Sequence, residues 1–345
     1  MGFSEEIVNW YKENKRVLPW RETRDPYKIW LSEIILQQTR VAQGLPYYIK
    51  FIEAYPTVFH LAGAPGEEVL KLWQGLGYYS RARNLHATAR YVAATLNGIF
   101  PETYKELLKL KGIGDYTASA IASICFNEAA PVVDGNVYRV LARYFNIDIP
   151  VNSTRGVKYF KELAHTLISE KDPATYNQAI MEFGAVHCTP KSPLCIVCPL
   201  NNSCGALQNG KVDQLPVKLG KGKIKKRFFN YLVIFNRSHT YLQKRTGKDI
   251  WQNLYEFPLI ETPGESKKEE ITTHPLFKEL VQDNDFTVTL YNRENIVHKL
   301  THRHIHTKFW IIKVKGELQH GMAIADISGY PVPVLIANFI KTYNF

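Results

Sequence analysis

The feature that most constrains the fold of this chain is a group of four cysteines within 17 residues, spaced C-x6-C-x2-C-x5-C. They are Cys188, Cys195, Cys198 and Cys204. Soft thiolate ligands at this density favour an iron–sulfur cluster or an all-cysteine zinc site. Structural zinc ribbons usually contain two C-x2-C pairs, whereas here only Cys195 and Cys198 form one. The spacing therefore predicts a metal centre and leaves the metal open.

Two disulfides in a secreted domain are the alternative interpretation of these cysteines. The residues before Trp10 do not resemble a signal peptide or a transit peptide. A chain of 345 residues also holds enough core to fold without covalent cross-links. We therefore expect a cytoplasmic protein with reduced thiols. The fifth cysteine, Cys125, is expected to be a buried helix residue.

The overall charge of the chain indicates a polyanionic partner. Lys and Arg number 43 against 32 for Asp and Glu, a formal net charge of +11, and the sequence pI is near 9.2. Nucleic acid is the natural partner for such a surface, although basic soluble proteins without that function are common. No apolar run approaches the length of a transmembrane span, so we expect no membrane partner.

The chain divides into two regions of different composition. Residues 1–205 predict one helix after another with short connections. Residues 206–227 carry seven Lys or Arg against one acid, with Gly and Pro interleaved, which predicts a flexible basic linker. Residues 228–345 predict an α+β domain. Its predicted strands are NYLVIF (230–235), TYLQKR (240–245), FTVTLY (286–291) and FWIIKV (309–314), and its closing helix is 333–343.

One predicted helix carries a carboxylate beside an apolar stripe. The run from Ile29 to Val41 has apolar residues at helical spacing, and Glu33, Gln37 and Arg40 line up along another side. Solvated polar residues are the simplest interpretation of such a side. A carboxylate at the edge of a buried stripe is partly desolvated, which raises its pKa towards values that suit an acid catalyst. Glu33 is therefore a candidate acid.

The segment LKGIGDYTASAIASI, residues 110–124, predicts two helices joined by a tight turn. Gly112 and Gly114 permit the turn, and the second helix then presents free amides and a positive dipole end to an anion. In a basic helical protein we expect that anion to be a DNA phosphate. An ordinary glycine-containing turn would be an equal alternative if the motif stood alone. Further along, Asp134 directly precedes another predicted helix, where an acid is often only a cap.

Several of these segments together resemble those of one enzyme family. They are LPWR (18–21), WLSEIILQQTRV (30–41), GLGYYSRARNLH (75–86), GIGDYTASAI (112–121), VDGNVYRVLAR (133–143) and the cysteine loop (188–204). The chain resembles the helix-hairpin-helix DNA glycosylases, and within them the adenine DNA glycosylases of the MutY type. In that family the cysteines hold a [4Fe-4S] cluster, so the resemblance implies this cofactor in place of zinc.

The resemblance also implies a domain organisation and a function. A mainly α glycosylase domain would span residues 1–205 with its cluster loop at 188–204, a linker would span 206–227, and a Nudix-like α+β domain would span 228–345. The protein would be a monomeric base excision repair enzyme that acts on double-stranded DNA with adenine opposite 8-oxoguanine or guanine. In a bacterial source it would lie with the nucleoid in the cytoplasm.

One residue separates the two chemical branches of these glycosylases. Bifunctional members, such as the endonuclease III type, place a nucleophilic lysine two residues after the second hairpin glycine, where it forms a Schiff base with the sugar. This chain has Tyr116 there, and a phenol cannot form that imine. We therefore predict a monofunctional enzyme that hydrolyses the N-glycosidic bond and leaves an abasic site. Lys111 is the nearest amine in sequence and leaves strand cleavage as an alternative.

The family's catalytic roles fall on four residues of this sequence. Glu33 matches the acid that would protonate N7 of the departing adenine. Asp134 matches the carboxylate that would stabilise the oxocarbenium-like sugar electrostatically or through a transient adduct. Tyr116 would hydrogen-bond near this pair, and Asn136 would brace Asp134.

The family's DNA-reading roles fall on a second set of residues. Gln38 and Tyr78 would fill the gap that an extruded adenine leaves in the stack. Arg21, Gln178 and Trp20 would form the base pocket, since Arg and Gln read polar edges and Trp stacks. Core packing is the alternative for Trp20 and Tyr78.

The last domain departs from the family pattern. Residues 244–258 resemble a Nudix-like domain, but the metal-binding glutamates of Nudix hydrolases are absent, so we expect no pyrophosphatase activity. The family's Phe-Ser-His loop reads Leu300, Thr301 and His302 here. Thr301 keeps a hydroxyl for 8-oxoguanine and His302 keeps the imidazole, whereas Leu300 loses the aromatic face.

A row of histidines surrounds this loop. His298, His302, His304 and His306 lie at even spacings, which predicts that they share one strand face. A zinc site is conceivable there, but we expect histidines that face solvent or DNA.

Two further functions compete with the monofunctional adenine glycosylase. A bifunctional pyrimidine-lesion glycosylase/lyase would give a covalent DNA adduct that borohydride traps in high yield. A non-catalytic iron–sulfur DNA-binding protein would release no base from any lesion. The presence of both Glu33 and Asp134 in their family contexts argues against the second alternative.

Overall fold

Helices dominate the first part of the chain and strands the last in the computed structural model, which describes residues 2–220 and 224–345. The chain divides into two units, each built from two separate segments. The units are Met1–Gly63 with Asn84–Gly220 (unit 1) and Ala64–Arg83 with Lys221–Phe345 (unit 2). The segment Ala64–Arg83, which lies within the predicted helical domain, therefore packs with the strand-rich residues.

Short side chains mark where the helices begin. At the start of α2 (Pro26–Leu36), Asp25 accepts a hydrogen bond from the amide of Tyr27 over 2.9 Å, and Pro26 holds the first helical position. Asp172 and Pro173 do the same for α11 (Pro173–Glu182). Such caps satisfy amides that have no partner inside the helix. The helices are α1 (Phe3–Asn14), α2 (Pro26–Leu36), α3 (Val41–Ala54), α4 (Val58–Gly63), α5 (Gly66–Leu72), α6 (Ser80–Thr95), α7 (Tyr104–Leu107), α8 (Asp115–Phe126), α9 (Gly135–Tyr144), α10 (Thr154–Leu167), α11 (Pro173–Glu182) and α12 (Gly205–Gln208).

The core of unit 1 forms where α2 packs against α8. Trp30, Leu31 and Ile35 of α2 are fully buried, as are Ala118 and Ile121 of α8. The small alanine lets the two helices approach closely, and apolar burial on this scale is the main source of stability. This packing places the carboxylate of α2 beside the first turn of α8.

Helix α2 is shorter than the sequence predicts. It ends at Leu36, and the next helix begins at Val41, so Gln37 and Arg40 do not continue its polar side. The chain turns through Gln38, which has a left-handed φ of 53°. The turn allows α3 to pack against the end of α2, where a Cβ on Gly44 would lie 2.8 Å from the Leu36 side chain. The predicted alignment of Glu33, Gln37 and Arg40 on one helix is therefore wrong.

The first part of the predicted linker is ordered. In residues 206–219, the carbonyls of Val212 and Leu215 accept hydrogen bonds from Arg143 Nε over 2.9 and 3.1 Å. Leu215 is buried as well. The prediction of flexibility is wrong here, because these carbonyls satisfy a buried guanidinium that would otherwise lack partners. Residues 221–223 of the predicted linker lie outside the described part of the chain.

Unit 2 is organised around a mixed sheet. Its central strand β1 (Lys225–Phe235) runs parallel to β8 (Arg303–Val314) in an unbroken register from Lys225↔Arg303 to Phe235↔Lys313. Strands β2 and β5 pair antiparallel with β1, β6 and β7 pair antiparallel with β8, and β9 pairs with β2. The strands are β1 (Lys225–Phe235), β2 (His239–Thr240), β3 (Gln243–Lys244), β4 (Tyr255–Glu256), β5 (Leu259–Thr262), β6 (Phe286–Leu290), β7 (Ile296–Lys299), β8 (Arg303–Val314) and β9 (Met322–Ala323).

Helices cover this sheet, and its core is apolar. The helices are α13 (Lys268–Thr273), α14 (Pro275–Val281) and α15 (Val334–Thr342), the last of which matches the predicted closing helix within a residue. Leu232, Ile234 and Ile312 of the central strands pack with Phe277 of α14. The predicted strand 240–245 is two short strands in two different sheets. In the described residues, no helix combines the length and the apolar character needed to cross a membrane.

Candidate active site

A cavity of about 160 Å³ in unit 1 gathers side chains that are far apart in sequence. A single water needs only about 10–15 Å³, so the cavity has room for a much larger group. Its polar and aromatic lining includes Trp20, Arg21, Glu33, Tyr116, Asp134, Asn136 and Gln178. All the predicted catalytic residues and all three predicted base-pocket residues therefore meet at one place, which makes the cavity the candidate active site.

Glu33 is buried in this cavity on helix α2. Burial raises the pKa of its carboxyl from 4.5 to about 7. A hydrogen bond from Tyr116 opposes that rise, the charge of Asp134 adds to it, and the charge of Arg21 opposes it. A carboxyl with a pKa near neutrality holds a proton and can also release it, which suits a general acid.

Tyr116 lies in the first turn of α8, facing this carboxyl. Burial, together with the nearby charges of Glu33 and Asp134, raises the pKa of its phenol well above 10.0. Tyr116 therefore stays protonated at neutral pH and donates to Glu33. Its Oη also lies within hydrogen-bonding distance of the Met181 sulfur, at 3.2 Å.

Asp134 caps helix α9 and lines the cavity at the same time. Its Oδ1 accepts hydrogen bonds from the amides of Asn136 and Val137, each over 2.8 Å. Its Oδ2 accepts from Asn136 Nδ2, also over 2.8 Å. The pKa of Asp134 is raised overall, because burial outweighs the lowering effect of these three hydrogen bonds and of the charge of Arg139. The two interpretations of this acid, as a cap and as a functional carboxylate, are therefore compatible.

Arg139 connects this carboxylate to the cysteine loop. Its Nη2 donates to Asn136 Oδ1 over 2.9 Å and to the carbonyl of Gly184 over 2.5 Å. Its Nε donates to the carbonyl of Cys188 over 2.7 Å. A chain of hydrogen bonds thus runs from Asp134 through Asn136 and Arg139 to Cys188.

The sequence reasoning missed two charged residues of the cavity. Arg16 and Glu182 line it and form an ion pair with an N–O distance of 2.6 Å, in which Glu182 is buried and the Arg16 side chain is 38% exposed. Arg21 joins the pair, also at 2.6 Å. Glu182 lies one helical turn after Gln178 on α11, so helical spacing from a predicted pocket residue is the signal that would have found it.

The base-pocket residues have their own supports. Tyr11 donates through its hydroxyl to Gln178 Oε1 over 2.8 Å. The guanidinium of Arg21 lies 5.5 Å from the centre of the Tyr11 ring. Trp20 is buried and packs edge-on against Tyr48, with ring centres 5.1 Å apart. The cavity wall is thus held in place before any ligand enters.

The two hairpin glycines differ in what they do. Gly112 has a left-handed φ of 80°, and a Cβ there would lie 2.6 Å from Asn84 Cβ. Gly114 has an extended φ of −96°, and a Cβ there would meet no atom within 4 Å. The tight turn therefore depends on Gly112 and not on Gly114, which corrects the prediction that both permit it.

The four cysteines lie together in unit 1 with free thiols, which does not agree with two disulfides. Cys188, Cys195, Cys198 and Cys204 line one pocket. Burial and the charges of the other three cysteines raise the pKa of Cys198 to about 11, while an amide hydrogen bond lowers it. Arg143 Nη1 donates to Cys188 Sγ over 3.4 Å. Within residues 2–220 and 224–345, no group of three or more His, Cys, Asp and Glu is arranged to hold a metal ion.

Gln38 and Tyr78 share an unusual backbone conformation. Each has a positive φ, 53° and 46° respectively, and each side chain is exposed. Positive φ is uncommon outside glycine and concentrates at ligand sites. Tyr78 is 48% exposed, so it is not a core aromatic. Within unit 2, its hydroxyl lies 2.7 Å from that of Thr301.

The predicted lesion-reading loop is a tight turn between β7 and β8. The amide of Leu300 donates to the carbonyl of Arg303 over 2.8 Å, which closes the turn. Thr301 and His302 are exposed at its tip, and Leu300 is half-buried.

The four histidines do not share one strand face. His298 lies on β7, His304 and His306 lie on β8, and His302 lies in the turn between the strands. In the antiparallel register, His304 faces Lys299 and His306 faces Val297. The prediction of a common face is therefore wrong, because the reversal of the chain falls inside the row of histidines.

Comparisons with known proteins agree with this fold. A family model described as "HhH-GPD superfamily base excision DNA repair protein" matches residues 31–155, and a NUDIX domain model matches residues 230–342. A solved thermostable thymine-DNA glycosylase covers 60% of this chain and 95% of its own, with TM-score 0.56 and 32% identity. A solved endonuclease III in a non-covalent DNA complex has TM-score 0.52 at 24% identity, with 60% and 94% coverage, and shares the fold.

Relatives named adenine DNA glycosylase extend the match. The one from Buchnera aphidicola (subspecies Baizongia pistaciae) is 37% identical, over 99% of this chain and 97% of its own. The human one is 45% identical over 62% of this chain and 41% of its own.

The helical unit, with a carboxylate pair in its cavity and a matching repair model, defines a DNA glycosylase of base excision repair. A Nudix-like domain follows it in the chain. At this identity over nearly its whole length, the chain belongs to the adenine DNA glycosylase family.

Proposed function

We propose that this enzyme removes adenine that is paired with 8-oxoguanine or guanine in double-stranded DNA, and that it does so by hydrolysis alone. The observation that carries the proposal is the carboxylate pair in one cavity. Burial raises the pKa of both carboxyls, that of Glu33 to about 7, but Asp134 also accepts three hydrogen bonds that favour its charged form. Two carboxyls in such different environments divide the acid role from the charge-stabilising role at neutral pH.

Glu33 supplies the proton in this scheme. Adenine leaves poorly as an anion, so the bond to the sugar breaks readily when N7 is protonated as the base departs. The proton passes from the Glu33 carboxyl to N7, and the electron pair of the glycosidic bond leaves with the neutral base. Tyr116 orients Glu33 through its hydrogen bond.

Asp134 stabilises what remains. The deoxyribose develops oxocarbenium character, and a carboxylate held by the α9 amides is fixed before the charge appears. Water then adds to the cationic sugar carbon and gives its proton to the Glu33 carboxylate, which restores the acid and leaves an abasic site. Asn136 holds the second carboxylate oxygen, so Asp134 does not rotate during the reaction.

Strand cleavage by an amine is not part of the proposal. A phenol, Tyr116, occupies the position of the lyase lysine, and a phenol forms no Schiff base. Lys161 lies near the start of α8, but its ammonium is held by Asp115, Ser119 and the carbonyl of Pro131 over 2.8–3.1 Å.

DNA reading uses both units. The extruded adenine enters the cavity, where Arg21 and Gln178 meet its polar edges and Trp20 its face. Gln38 and Tyr78 occupy the gap in the stack, which their exposed positions support. Thr301 and His302 read the opposite base, with Thr301 donating or accepting through its hydroxyl. Leu300 supplies apolar contact only. The α8 start at Gly114 has open space for a phosphate, and Gly112 makes the turn that leads to it.

The cysteine loop would hold a [4Fe-4S] cluster. Four thiols in one pocket, with a guanidinium bonded to Cys188 Sγ, are a donor set that suits soft iron–sulfur ligation. Cys188, Cys195, Cys198 and Cys204 would be the ligands. The cluster would anchor the loop and supply no step of the hydrolysis. We further propose that the enzyme is a monomer that works where the DNA is, in the cytoplasm with the nucleoid if its source is bacterial.

Single-turnover base release tests this function. Four duplexes are compared with and without alkali: adenine opposite 8-oxoguanine, adenine opposite guanine, adenine opposite thymine, and thymine glycol. We expect breaks only after alkali and only in the first two duplexes. Breaks without alkali, together with a borohydride-trapped adduct, would instead establish a lyase. Release only from thymine glycol would refute the adenine specificity.

A further inference from the structure

A second buried glutamate of the cavity that contains Glu33 has no role in the scheme above. Glu182 ends α11, is 1% exposed and lines the same cavity. Its Oε1 accepts from the Arg16 amide over 3.0 Å and from Arg16 Nε over 2.7 Å. Its Oε2 accepts from Arg16 Nη2 and Arg21 Nη2, each over 2.6 Å. One carboxylate thus holds two guanidiniums at the wall of the cavity.

The charges of this cluster do not cancel. Two guanidiniums and one carboxylate leave one positive charge near Glu33. Burial alone would raise the pKa of Glu182, but hydrogen bonds from Arg16 and Arg21 outweigh it and hold that pKa at about 2. Glu182 is therefore charged throughout the range in which an enzyme works. Without it, the excess would rise to two positive charges.

We propose that Glu182 is a positioning residue: its charge keeps the guanidiniums of Arg16 and Arg21 from favouring the deprotonated form of Glu33. The inference rests on the proposed function, in which that proton goes to adenine. The arrangement supports it directly, because both guanidiniums point their donors at Glu182 and line the cavity that contains Glu33. Because Glu182 offsets its charge, Arg21 can contact the adenine base while Glu33 in the same cavity stays protonated.

Glu33 is faced by groups of the cluster and by groups outside it. Arg21 of the cluster and Tyr116 of α8 favour the charged form of its carboxyl, and Asp134 disfavours it. Cys125 of α8 is a further titratable neighbour, but burial holds its thiol neutral. Arg16 and Glu182 complete the charged lining of the cavity. Tyr116 and Cys125 stay neutral near pH 7 and Asp134 stays hydrogen-bonded, so a change at Glu182 acts mainly through the two guanidiniums.

The test is the pH profile of single-turnover adenine release by Glu182→Gln. Glutamine keeps the shape of the side chain and removes its charge, so the unbalanced guanidiniums favour the carboxylate of Glu33. The rate should fall at alkaline pH as Glu33 loses its proton, and we expect this alkaline limb of the pH profile to shift to lower pH by about one unit. The rate at pH 8 would then fall about tenfold relative to wild type, while the acid plateau stays within about threefold. Glu182→Asp, which keeps the charge, should leave the limb near its wild-type position.

A matched control separates this effect from lost stability. Glu256 in unit 2 is 3% exposed and pairs with Arg245 over 2.6 Å. Glu256→Gln therefore breaks an ion pair of a buried glutamate that does not line the cavity. It should lower the melting temperature without moving the limb. A uniform loss of rate at every pH in Glu182→Gln would overturn the proposal and reduce Glu182 to a structural residue.

Two further measurements keep the proposal testable if Glu182→Gln does not fold, or if the enzyme acts on another substrate. Arg16→Gln removes a positive charge, so it should shift the alkaline limb to higher pH, opposite to the shift expected for Glu182→Gln. Titration of protein with 13C-labelled glutamate carboxyls, with Glu33 assigned by Glu33→Gln, needs no substrate. We expect the Glu33 midpoint to fall in Glu182→Gln and to rise in Arg16→Gln. An unmoved midpoint would overturn the inference, whereas absent adenine release by wild type would overturn only the proposed function.

Discussion

The hydroxyl of Tyr78 lies 2.7 Å from the hydroxyl of Thr301, so two residues 223 positions apart in sequence share a hydrogen bond in unit 2. One is the proposed stack-filling residue and the other the proposed reader of the opposite base. The left-handed backbone of Tyr78 presents its ring outward, and the guanidinium of Arg81 lies 5.6 Å from the centre of that ring. The bond therefore fixes the direction of an exposed aromatic before DNA arrives.

This hydroxyl pair should act as one element in lesion recognition. Thr301→Val and Tyr78→Phe each remove one hydroxyl and keep the shape, and we expect each to slow adenine release opposite 8-oxoguanine about three- to tenfold. The double variant should lose no more than the worse single variant, since the same bond is broken. The measurement is a double-mutant cycle of single-turnover rates. Tyr291 and Thr342 form a matched exposed pair at 3.0 Å, and Tyr291→Phe should leave the rates unchanged. Fully additive losses would show that the hydroxyls act separately.

Glu33 should make the protein less stable at alkaline pH. The pKa of its carboxyl is about 7 when folded and 4.5 as an ordinary value, so the protonated form favours the folded state. That stabilisation is complete below 4.5 and is lost as the pH rises through about 7, a difference of about 3 kcal/mol. Glu33→Gln is neutral throughout. Thermal unfolding should therefore show the variant more stable than wild type at pH 8 and about equal at pH 4, and we expect the same variant to release no adenine. A gap in melting temperature that is independent of pH would contradict the raised pKa.

Asp134→Asn should separate the two roles of this residue. Asparagine caps helices about as well as aspartate, so we expect the free energy of unfolding to change by less than about 1 kcal/mol. The loss of the charge should lower the rate of base release by about a thousandfold or more. Denaturant unfolding and single-turnover kinetics measure the two effects. Asp172→Asn is the matched control, because Asp172 caps α11 through the amide of Thr175 over 3.1 Å. It should change neither quantity appreciably, and a large loss of stability in Asp134→Asn would mean that the charge itself supports the fold.

The hairpin glycines should respond differently to the same substitution. Gly112→Ala forces a side chain into a left-handed backbone and against Asn84, and we expect a loss of about 1–3 kcal/mol of stability. Gly114→Ala meets no atom within 4 Å, so the fold should tolerate it. If a phosphate approaches there, Gly114→Ala should weaken duplex binding several-fold. Thermal unfolding and salt-matched binding assays decide between these outcomes. Unchanged duplex binding would place the phosphate elsewhere.

Local patterns predicted the helical region, the closing helix and three of the four strands, because each has a periodicity that survives in the fold. They failed where a tertiary contact overrides the pattern. Helix α2 stops at Leu36 because α3 packs against its end at Gly44. The residues after Gln208 are ordered because a buried guanidinium, Arg143, needs their carbonyls. Neither cause is visible in a window of neighbouring residues.

The candidate site was predictable to the extent that a resemblance assigns roles to positions. Glu33, Asp134 and Tyr116 were identified in this way, and the cavity contains all three. Glu182 was missed although it lies one helical turn after Gln178, and Arg16 was missed because its ion pair with Glu182 joins residues 166 positions apart. Gly114 was misread because sequence shows that a residue is glycine, but not its φ.

The membership of Ala64–Arg83 in unit 2 limits how the two halves of the gene could be exchanged. Lys71 of this segment donates to the carbonyls of Ser328 and Tyr330 over 2.5 and 3.2 Å. Glu67 accepts from Lys244 and Tyr255, each over 2.8 Å. In a chimera joined at residues 206–227, a C-terminal domain from another protein would have to pack against Ala64–Arg83, whose contacts fit the original domain. The part that could be exchanged as one piece is the C-terminal domain together with these twenty residues, which include the proposed stack-filling residue Tyr78.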